Sequence, residues 1–336
     1  MNSVMEQPFP KSKTLTEKLK RLQAVVSPED ILAIVIDADP DSMASALALK
    51  RLFWRKVRKA HIYYINPIQR ADNLAFVKLL RIDQKHVRRI KRSRVTKWAI
   101  LDSQPEHHKA SITENFDIII DHHPVCATSK AGFMEIKEGY GANSTIMTEY
   151  LRAAKITPSP RLATALFYGI KTDTDNFVRE SLPNDINAFR YLYRFTNVNM
   201  IKKIESSEMT KKTLGSLEEA MKRLTFMKDI AFTHMGEVKN PDILVIIADF
   251  FMKLAEASWS IVAGIYDGKL VVILRNAGFR GDAGKAAQKL FGRWGGSAGG
   301  HRNAARAEVP MDAVLREMKG EIELEPFILK SLKELK

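Results

Sequence analysis

Three short apolar runs in the first half of the chain stop at carboxylates, and this recurrence limits the fold more than any other feature. Residues 31–38 read ILAIVIDA, the near-continuous apolar pattern of a strand buried on both faces in a parallel sheet. That run leads into Asp37, Asp39 and Asp41. Trp98 to Leu101 ends at Asp102, and Phe116 to Ile120 ends at Asp121, His122 and His123. In an open parallel α/β sheet, ligands bind outside the carboxyl ends of the strands. Acid-tipped buried strands therefore predict such a sheet, with a site along that edge.

The acids need partners. An ionised carboxylate at the end of a buried strand is costly unless cations or donors meet it, and imidazole is the commonest neutral metal ligand. In an extended segment residues i, i+2 and i+4 point to one side, so Asp37, Asp39 and Asp41 are expected to converge. Helix capping and the helix dipole account for one or two of them; three like charges together call for a cation. Asp173, in KTDTDNF (171–177), is expected in a loop just past a helix as a further ligand, with Asp175 as a turn residue. Oxygen donors mixed with imidazole suit manganese first and magnesium second, whereas zinc more often draws on Cys.

Composition narrows the setting. A chain of 336 residues has room for two domains, and 45% hydrophobic content excludes a disordered polymer. The lone Cys126 cannot form an intrachain disulfide and reads as packing. MNSVMEQPFPKSK carries no apolar leader and no run is long enough to span a membrane, which predicts a cytoplasmic protein with no membrane partner. The net charge is +14, bunched at Lys50, Arg51, Arg55, Lys56, Arg58 and Lys59, and again at Lys85, Arg88, Arg89, Lys91, Arg92, Arg94 and Lys97. Such a field favours an anionic partner, although a basic run is also what a solvated helix face carries.

Periodicity divides the chain into a tail and helix (1–28), a first α/β domain (29–195), a helical linker (196–229) and a smaller α/β domain (230–336). Leu15, Leu19, Leu22 and Val26 mark a short amphipathic helix, and further helices are expected at 42–54, 70–80, 141–155 and 161–170. A strand is expected at 61–65. Leu214, Leu217, Met221, Leu224 and Met227 predict one linking helix over 213–228. The last domain is read as strands at 230–235, 243–247, 260–266 and 270–275, with helices at about 249–257 and 282–291. In GRWGGSAGGHRNAARAEV (292–309), the glycines leave backbone N–H groups open as an anion nest, to which His301, Arg302 and Arg275 add charge-assisted bonds.

Together these segments resemble the DHH/DHHA1 phosphoesterases, the superfamily of RecJ-type exonucleases, nanoRNases and family II pyrophosphatases. The matching pieces are DADPDSMAS, LDS at Asp102, DHH at 121–123 and GIKTDTDNF around Asp173, in the family's order. The Gly-rich stretch resembles the GGGH-AAG motif of the DHHA1 domain. The resemblance implies an N-terminal open parallel sheet with flanking helices, a C-terminal α/β domain and an active site in the cleft between them. It implies two manganese ions bridged by Asp102, one held with Asp39 and Asp37, the other with Asp41, His122 and Asp173. Asp121, His122 and His123 form the catalytic motif, His123 facing the phosphate, while Arg275, Gly299, Gly300, His301 and Arg306 contact the substrate.

Three positions depart from the family pattern. Val35 stands where many small-substrate members have His, four residues before Asp39; Ala298 breaks the glycine run; Arg306 replaces a usual Gly. The expected activity is manganese-dependent hydrolysis of short 5′-phosphorylated oligonucleotides, pApA or 3′-phosphoadenosine 5′-phosphate. A RecJ-like exonuclease on single-stranded DNA is the alternative, and a non-catalytic nucleotide-binding relative the third reading. A homodimer is a further expectation.

Overall fold

The computed structural model describes residues 14–108, 115–126, 128, 130–179, 181–207, 209–278, 281–318 and 324–333. The loose tail expected over 1–13 lies outside them. The chain divides into two compact units, Met1–Ser207 and Glu208–Lys336.

The first unit runs α1 (Leu15–Ala24), β1 (Ile31–Ile36), α2 (Pro40–Leu52), β2 (Lys59–Tyr64), α3 (Ala71–Leu79), β3 (Gln84–His86), β4 (Lys97–Leu101), β5 (Ile118–Asp121), β6 (Phe133–Ile136), α4 (Asn143–Ala153), α5 (Pro160–Asp173), α6 (Pro183–Tyr193) and α7 (Val198–Ser206). Its six strands form one parallel sheet in the order β3-β2-β1-β4-β5-β6. The apolar runs explain the centre of that sheet. Ile34 and Ile36 of β1 face the main core with α2, α4 and α5, while Val35 faces a smaller cluster with Ile100, Phe116 and Ile119. Small residues Ala44, Ala46 and Ala48 leave α2 fully packed against its neighbours. The short strands β3 and β6 were not visible as apolar runs, because each is a polar or mixed edge strand.

The second unit runs α8 (Lys211–Lys222), β7 (Thr225–Met227), β8 (Ile230–Glu237), α9 (Asp242–Phe251), β9 (Trp259–Tyr266), β10 (Lys269–Asn276), α10 (Ala283–Phe291), β11 (Ser297–Gly300), β12 (Ala304–Pro310), α11 (Met311–Met318) and α12 (Leu324–Leu332). Its mixed sheet has the order β11-β12-β10-β9-β8-β7 and a core on each face.

Three expected elements differ in this region. The run ILVII (243–247) is helical, not a strand, and the helix expected at 249–257 is only its end. Leu244, Ile247, Ala248 and Phe251 are the buried positions, a helical period that a five-residue apolar run hides. The helix expected over 213–228 stops at Lys222; Thr225–Met227 is a strand turned back onto β8, with Lys228 at φ 56 in the turn. Nor is 196–229 a free linker, since α7 buries Ile201 and Ile204 in the first unit and α8 buries Leu217 and Ala220 in the second.

The Gly-rich stretch is likewise not an open nest. Gly299 and Gly300 belong to β11, paired with Arg306 and Ala305 of β12. The N–H groups of Ala283 and Gly284 at the start of α10 donate to the carbonyls of Arg302 and His301, at 2.7 and 3.0 Å. A Cβ on Gly300, at φ +148, would lie 2.4 Å from the Ala304 carbonyl oxygen, so this tight pairing is what requires glycine there.

Candidate metal centre

The carboxyl edge of the first sheet carries the expected residues, but local backbone decides which of them meet. Asp39 is the N-cap of α2: its Oδ1 accepts the Ser42 N–H at 2.8 Å, and Ser42 Oγ accepts the Asp39 N–H at 3.1 Å. Extended alternation ends there: Asp41 shares a donor set with His122 and Asp173, while Asp37 lies toward His108. Asp41 lies in the first turn of α2, fully buried, and accepts the N–H groups of Asn143 (2.6 Å) and Ser144 (2.7 Å). It thereby caps α4, whose own N-cap residue, Ala142, makes no side-chain capping bond. Gly169 of α5 permits this approach: a Cβ there would lie 2.6 Å from Ser144 Oγ and 3.0 Å from Asp41 Cα.

Asp102 follows β4 in the left-handed region, φ 59, after its N–H has extended the ladder to the Ile120 carbonyl at 2.9 Å. Asp173 is the last residue of α5 and not part of a loop. His122, just past β5, meets both. Its Nε2 is 3.3 Å from Asp102 Oδ1 and 3.0 Å from Asp173 Oδ2. Its Nδ1 lies 2.8 Å from the carbonyl oxygen of Tyr140, which can only accept, so Nδ1 carries the proton and Nε2 of the neutral ring presents a lone pair.

A lone pair facing two carboxylate oxygens is repulsive unless a proton or a cation lies among them. Asp102 Oδ1, His122 Nε2 and Asp173 Oδ2 are all buried with no hydrogen-bond partner of proper geometry. Two sets of donor atoms gather within 4.8 Å, Asp41–His122–Asp173 and Asp102–His122–His123. This donor set fits a divalent cation. Asp37 belongs to neither set; its Oδ2 is 3.7 Å from His108 Nδ1.

The electrostatics agree with that fit. His122 is pushed up to about 12: burial opposes the shift, and the carboxylates of Asp102 and Asp173 outweigh it. Asp102 is raised well above the usual range by burial and by Asp41 and Asp39. Burial, then Asp173, raises Asp41 to about 6, with His122 pulling the other way. Asp39 is raised to about 7 by the protein around it and by Asp41 and Asp173, although its own surface is exposed. Excess negative charge in one place is the condition that a cation relieves.

Asp121 has a different task. It is completely buried, and its Oδ1 accepts the N–H of His122 (2.8 Å) and His123 Nδ1–H (2.9 Å), while Oδ2 accepts from Gln104 Nε2 (2.7 Å). Burial would raise this acid, but hydrogen bonds from His123 and Gln104 hold it down at about 2. It therefore fixes the His123 ring and leaves Nε2 to a ligand.

Several neighbours escaped the sequence reading. Gln104 is buried and also donates to the Pro124 carbonyl (2.9 Å) and accepts the Cys126 N–H (2.7 Å), which ties the loop after β4 to the loop after β5. Buried Asp185 accepts the N–H groups of Gly141 (2.9 Å) and Leu182 (2.7 Å), anchoring the segment that presents the Tyr140 carbonyl. His107 and His108 stand beside Ser103, and burial pushes the His108 imidazole down despite Asp37. Their only sequence signal was a second His–His pair after an acid-tipped strand.

The substrate contacts expected in the second unit are engaged otherwise. Arg275 Nε is 2.6 Å from Asp249 Oδ1, and Arg306 binds Glu308 Oε1 through Nη2 (2.7 Å) and Nε (2.9 Å). His301 is exposed in the turn between β11 and β12.

Fold and site together define a parallel α/β domain with a carboxylate–imidazole cluster able to hold a cation at the carboxyl edge of its sheet. Residues 32–170, all within the first unit, match the DHH family, N-terminal domain. An uncharacterized protein of Methanocaldococcus jannaschii is 35% identical over 277 residues, covering 82% of this chain and 57% of that protein. The A-adding tRNA nucleotidyltransferase of Aquifex aeolicus is 28% identical over 200 residues, 57% of this chain and 23% of the enzyme. The chain thus spans little more than half the length of the first of these relatives. Among solved structures, an exopolyphosphatase-related protein from Bacteroides fragilis aligns with a TM-score of 0.70 at 14% identity, covering 92% of this chain and 97% of that one. RecJ from Thermus thermophilus, in complex with Mn2+, aligns at 0.54 and 14% identity, covering 91% of this chain and 53% of RecJ. At these identities the likeness is one of fold. No helix among the described residues is long and apolar enough to cross a membrane.

Proposed function

We propose that the chain is a metal-dependent phosphoester hydrolase with manganese as its cofactor, acting on short 5′-phosphorylated oligonucleotides or nucleotides. One observation carries the reading: His122 Nε2, aimed by the Nδ1–H bond to the Tyr140 carbonyl, is set 3.3 and 3.0 Å from the oxygens of Asp102 and Asp173. Asp41, Asp102, His122 and Asp173 would hold the cations, with Asp39 at the cap of α2 as a further ligand. When bound, divalent ions there supply Lewis acidity and a nucleophilic water at neutral pH. The chain's own part is positioning. Asp121 orients His123, whose side chain is 37% exposed and whose Nε2 is available to a phosphoryl or leaving-group oxygen. Arg275 and Arg306, each held by a carboxylate of the second unit, are not counted among the phosphate contacts.

A basic crossover supports a nucleic-acid substrate. Along β3 and the crossover to β4, Lys85, Arg88, Arg89, Lys91, Arg92 and Arg94 are exposed, whereas Lys97 at the start of β4 is tied to Asp117 at 2.9 Å. The same feature favours the second reading, exonuclease action on longer single strands. The test is incubation of purified protein with 5′-phosphorylated diadenylate, in Mn2+ and in EDTA. AMP released only in Mn2+ is expected; degradation of long single strands with the dinucleotide untouched would select the second reading. A folded protein that cleaves neither would overturn the proposal.

A further inference from the structure

The two basic runs of the sequence meet at the amino edge of the first sheet, the edge opposite the carboxylate–imidazole cluster. No acid stands between Asp41 and Asp72, nor between Asp83 and Asp102, so neither run carries its own counter-charge. Asp30, just before β1, ties them together. Its carbonyl accepts the N–H groups of Arg58 and Lys59 at 2.9 and 3.3 Å, and its Oδ1 accepts the Thr96 hydroxyl at 2.7 Å. Lys59 opens β2 opposite Ile31 and Lys97 opens β4 opposite Leu32, so the runs flank the start of β1. Burial, then Lys50, Lys85 and Lys59, pushes the His61 imidazole down, the mark of both runs acting on one group.

The turn between α2 and β2 sorts its side chains. Phe53 and Val57 pack on the main core, and the Lys56 N–H closes the turn on the Phe53 carbonyl at 2.9 Å. Trp54, between them, is turned outward and is 64% exposed. Arg51, Arg55, Lys56, Arg58 and Lys59, in the same turn and its flanks, are exposed as well, and among the described residues none of the five meets a carboxylate. Elsewhere in this unit Lys18, Arg70, Lys137 and Lys171 each do. Unneutralised cations alone suit any polyanion. A large aromatic face among them selects one that carries stackable rings, the combination by which single strands are held without sequence preference.

The second run joins this turn to the cluster. Because β3 and β4 are parallel, the crossover between them leaves the carboxyl edge and ends at the amino edge, with Arg92 and Arg94 exposed near its end. At about 3.3 Å per residue, the six residues of β1 set the two edges about 20 Å apart.

We propose that Trp54 and the exposed cations of residues 51–59 form a binding surface for a single-stranded polynucleotide, Trp54 stacking on a base and the cations meeting phosphates. The surface needs no metal and stands independently of the hydrolase reading.

The experiment is fluorescence anisotropy of labelled oligo(dT) and oligo(U) of about 20 nucleotides, longer than one such site spans, titrated with the full chain in EDTA over a range of salt. Trp54→Ala is expected to weaken binding about tenfold. The double variant Arg55→Gln, Lys56→Gln should lower the slope of log affinity against log salt by about 1.4, or about 0.7 per cation removed. Both should keep the wild-type melting curve, since the replaced side chains are exposed, and should release AMP from 5′-phosphorylated diadenylate in Mn2+ at the wild-type rate. Loss with either oligonucleotide supports the assignment, and the tighter of the two names the sugar. Folded variants with wild-type affinity and slope would overturn it. So would a wild type that binds neither strand, or that prefers phosphatidylserine vesicles to both, while AMP release would leave the hydrolase reading intact. Diadenylate and long strands left uncleaved, with binding lost in the variants as expected, would overturn that reading and leave the surface assigned.

Discussion

Asp41 is a buried helix cap and, in the proposed function, a ligand of the cation, and Asp41→Asn separates the two roles. With its acid held at about 6 and not at the ordinary 3.8, the ionised side chain costs on the order of 3 kcal/mol in the metal-free protein at pH 7. The sign follows from the raised value: the burden is absent below 3.8 and grows as pH rises through about 6. Asn removes that charge but keeps only one of the two acceptors for the Asn143 and Ser144 N–H groups, a loss of about 1.5–3 kcal/mol. In EDTA the terms nearly cancel, so the variant should unfold within about 2 kcal/mol of the wild type. In saturating Mn2+ the wild type gains stability by mass action, and each tenfold of affinity the variant has lost removes about 1.4 kcal/mol of that gain. Urea unfolding followed by circular dichroism, with Mn2+ and with EDTA, reads both quantities. If Asp41→Asn lost more than about 4 kcal/mol in EDTA yet kept the full Mn2+ stabilisation, Asp41 would be a cap alone and the reasoning would fail.

Two further substitutions test the surroundings. Asp121, held at about 2 instead of 3.8, contributes on the order of 2 kcal/mol, present above 3.8 and lost as pH falls through about 2. Asp121→Asn should therefore be destabilised by about that much at pH 7 and approach the wild type in acid; a gap that stays constant with pH would contradict this. Gly169→Ala places a methyl 2.6 Å from Ser144 Oγ and 3.1 Å from Asp41 Oδ1. It should cost about 1–3 kcal/mol and weaken Mn2+ binding, and an unchanged melting curve would show that α5 is less closely seated than described.

Much of the first unit was readable because its central strands are apolar on both faces and end at acids. Asp102, His122 and Asp173 lie together at that edge. Side-chain direction was less legible. Alternation placed Asp37, Asp39 and Asp41 on one side, but the Asp39 cap converts the extended chain to helix, and of the three only Asp41 shares a donor set with His122. Asp121 reads as part of the catalytic motif with His122 and His123; that it is buried and orients the His123 ring depends on Gln104, seventeen residues away. In the second unit, ILVII hid a helix because five apolar residues suit either period, and the glycines of β11 pair with β12 where composition suggested open amides.

The left-handed backbone at Asp102 restricts what evolution or an engineer can place there. Of the residues that enter this conformation at modest cost, Gly has no side chain, Asn has no charge, and Asp alone brings an anion. Glu would keep the charge but lose the backbone tolerance and add a methylene; Asn would keep the backbone and lose the charge. A bend of one residue thus makes this position chemically irreplaceable, independently of how tightly anything binds beside it.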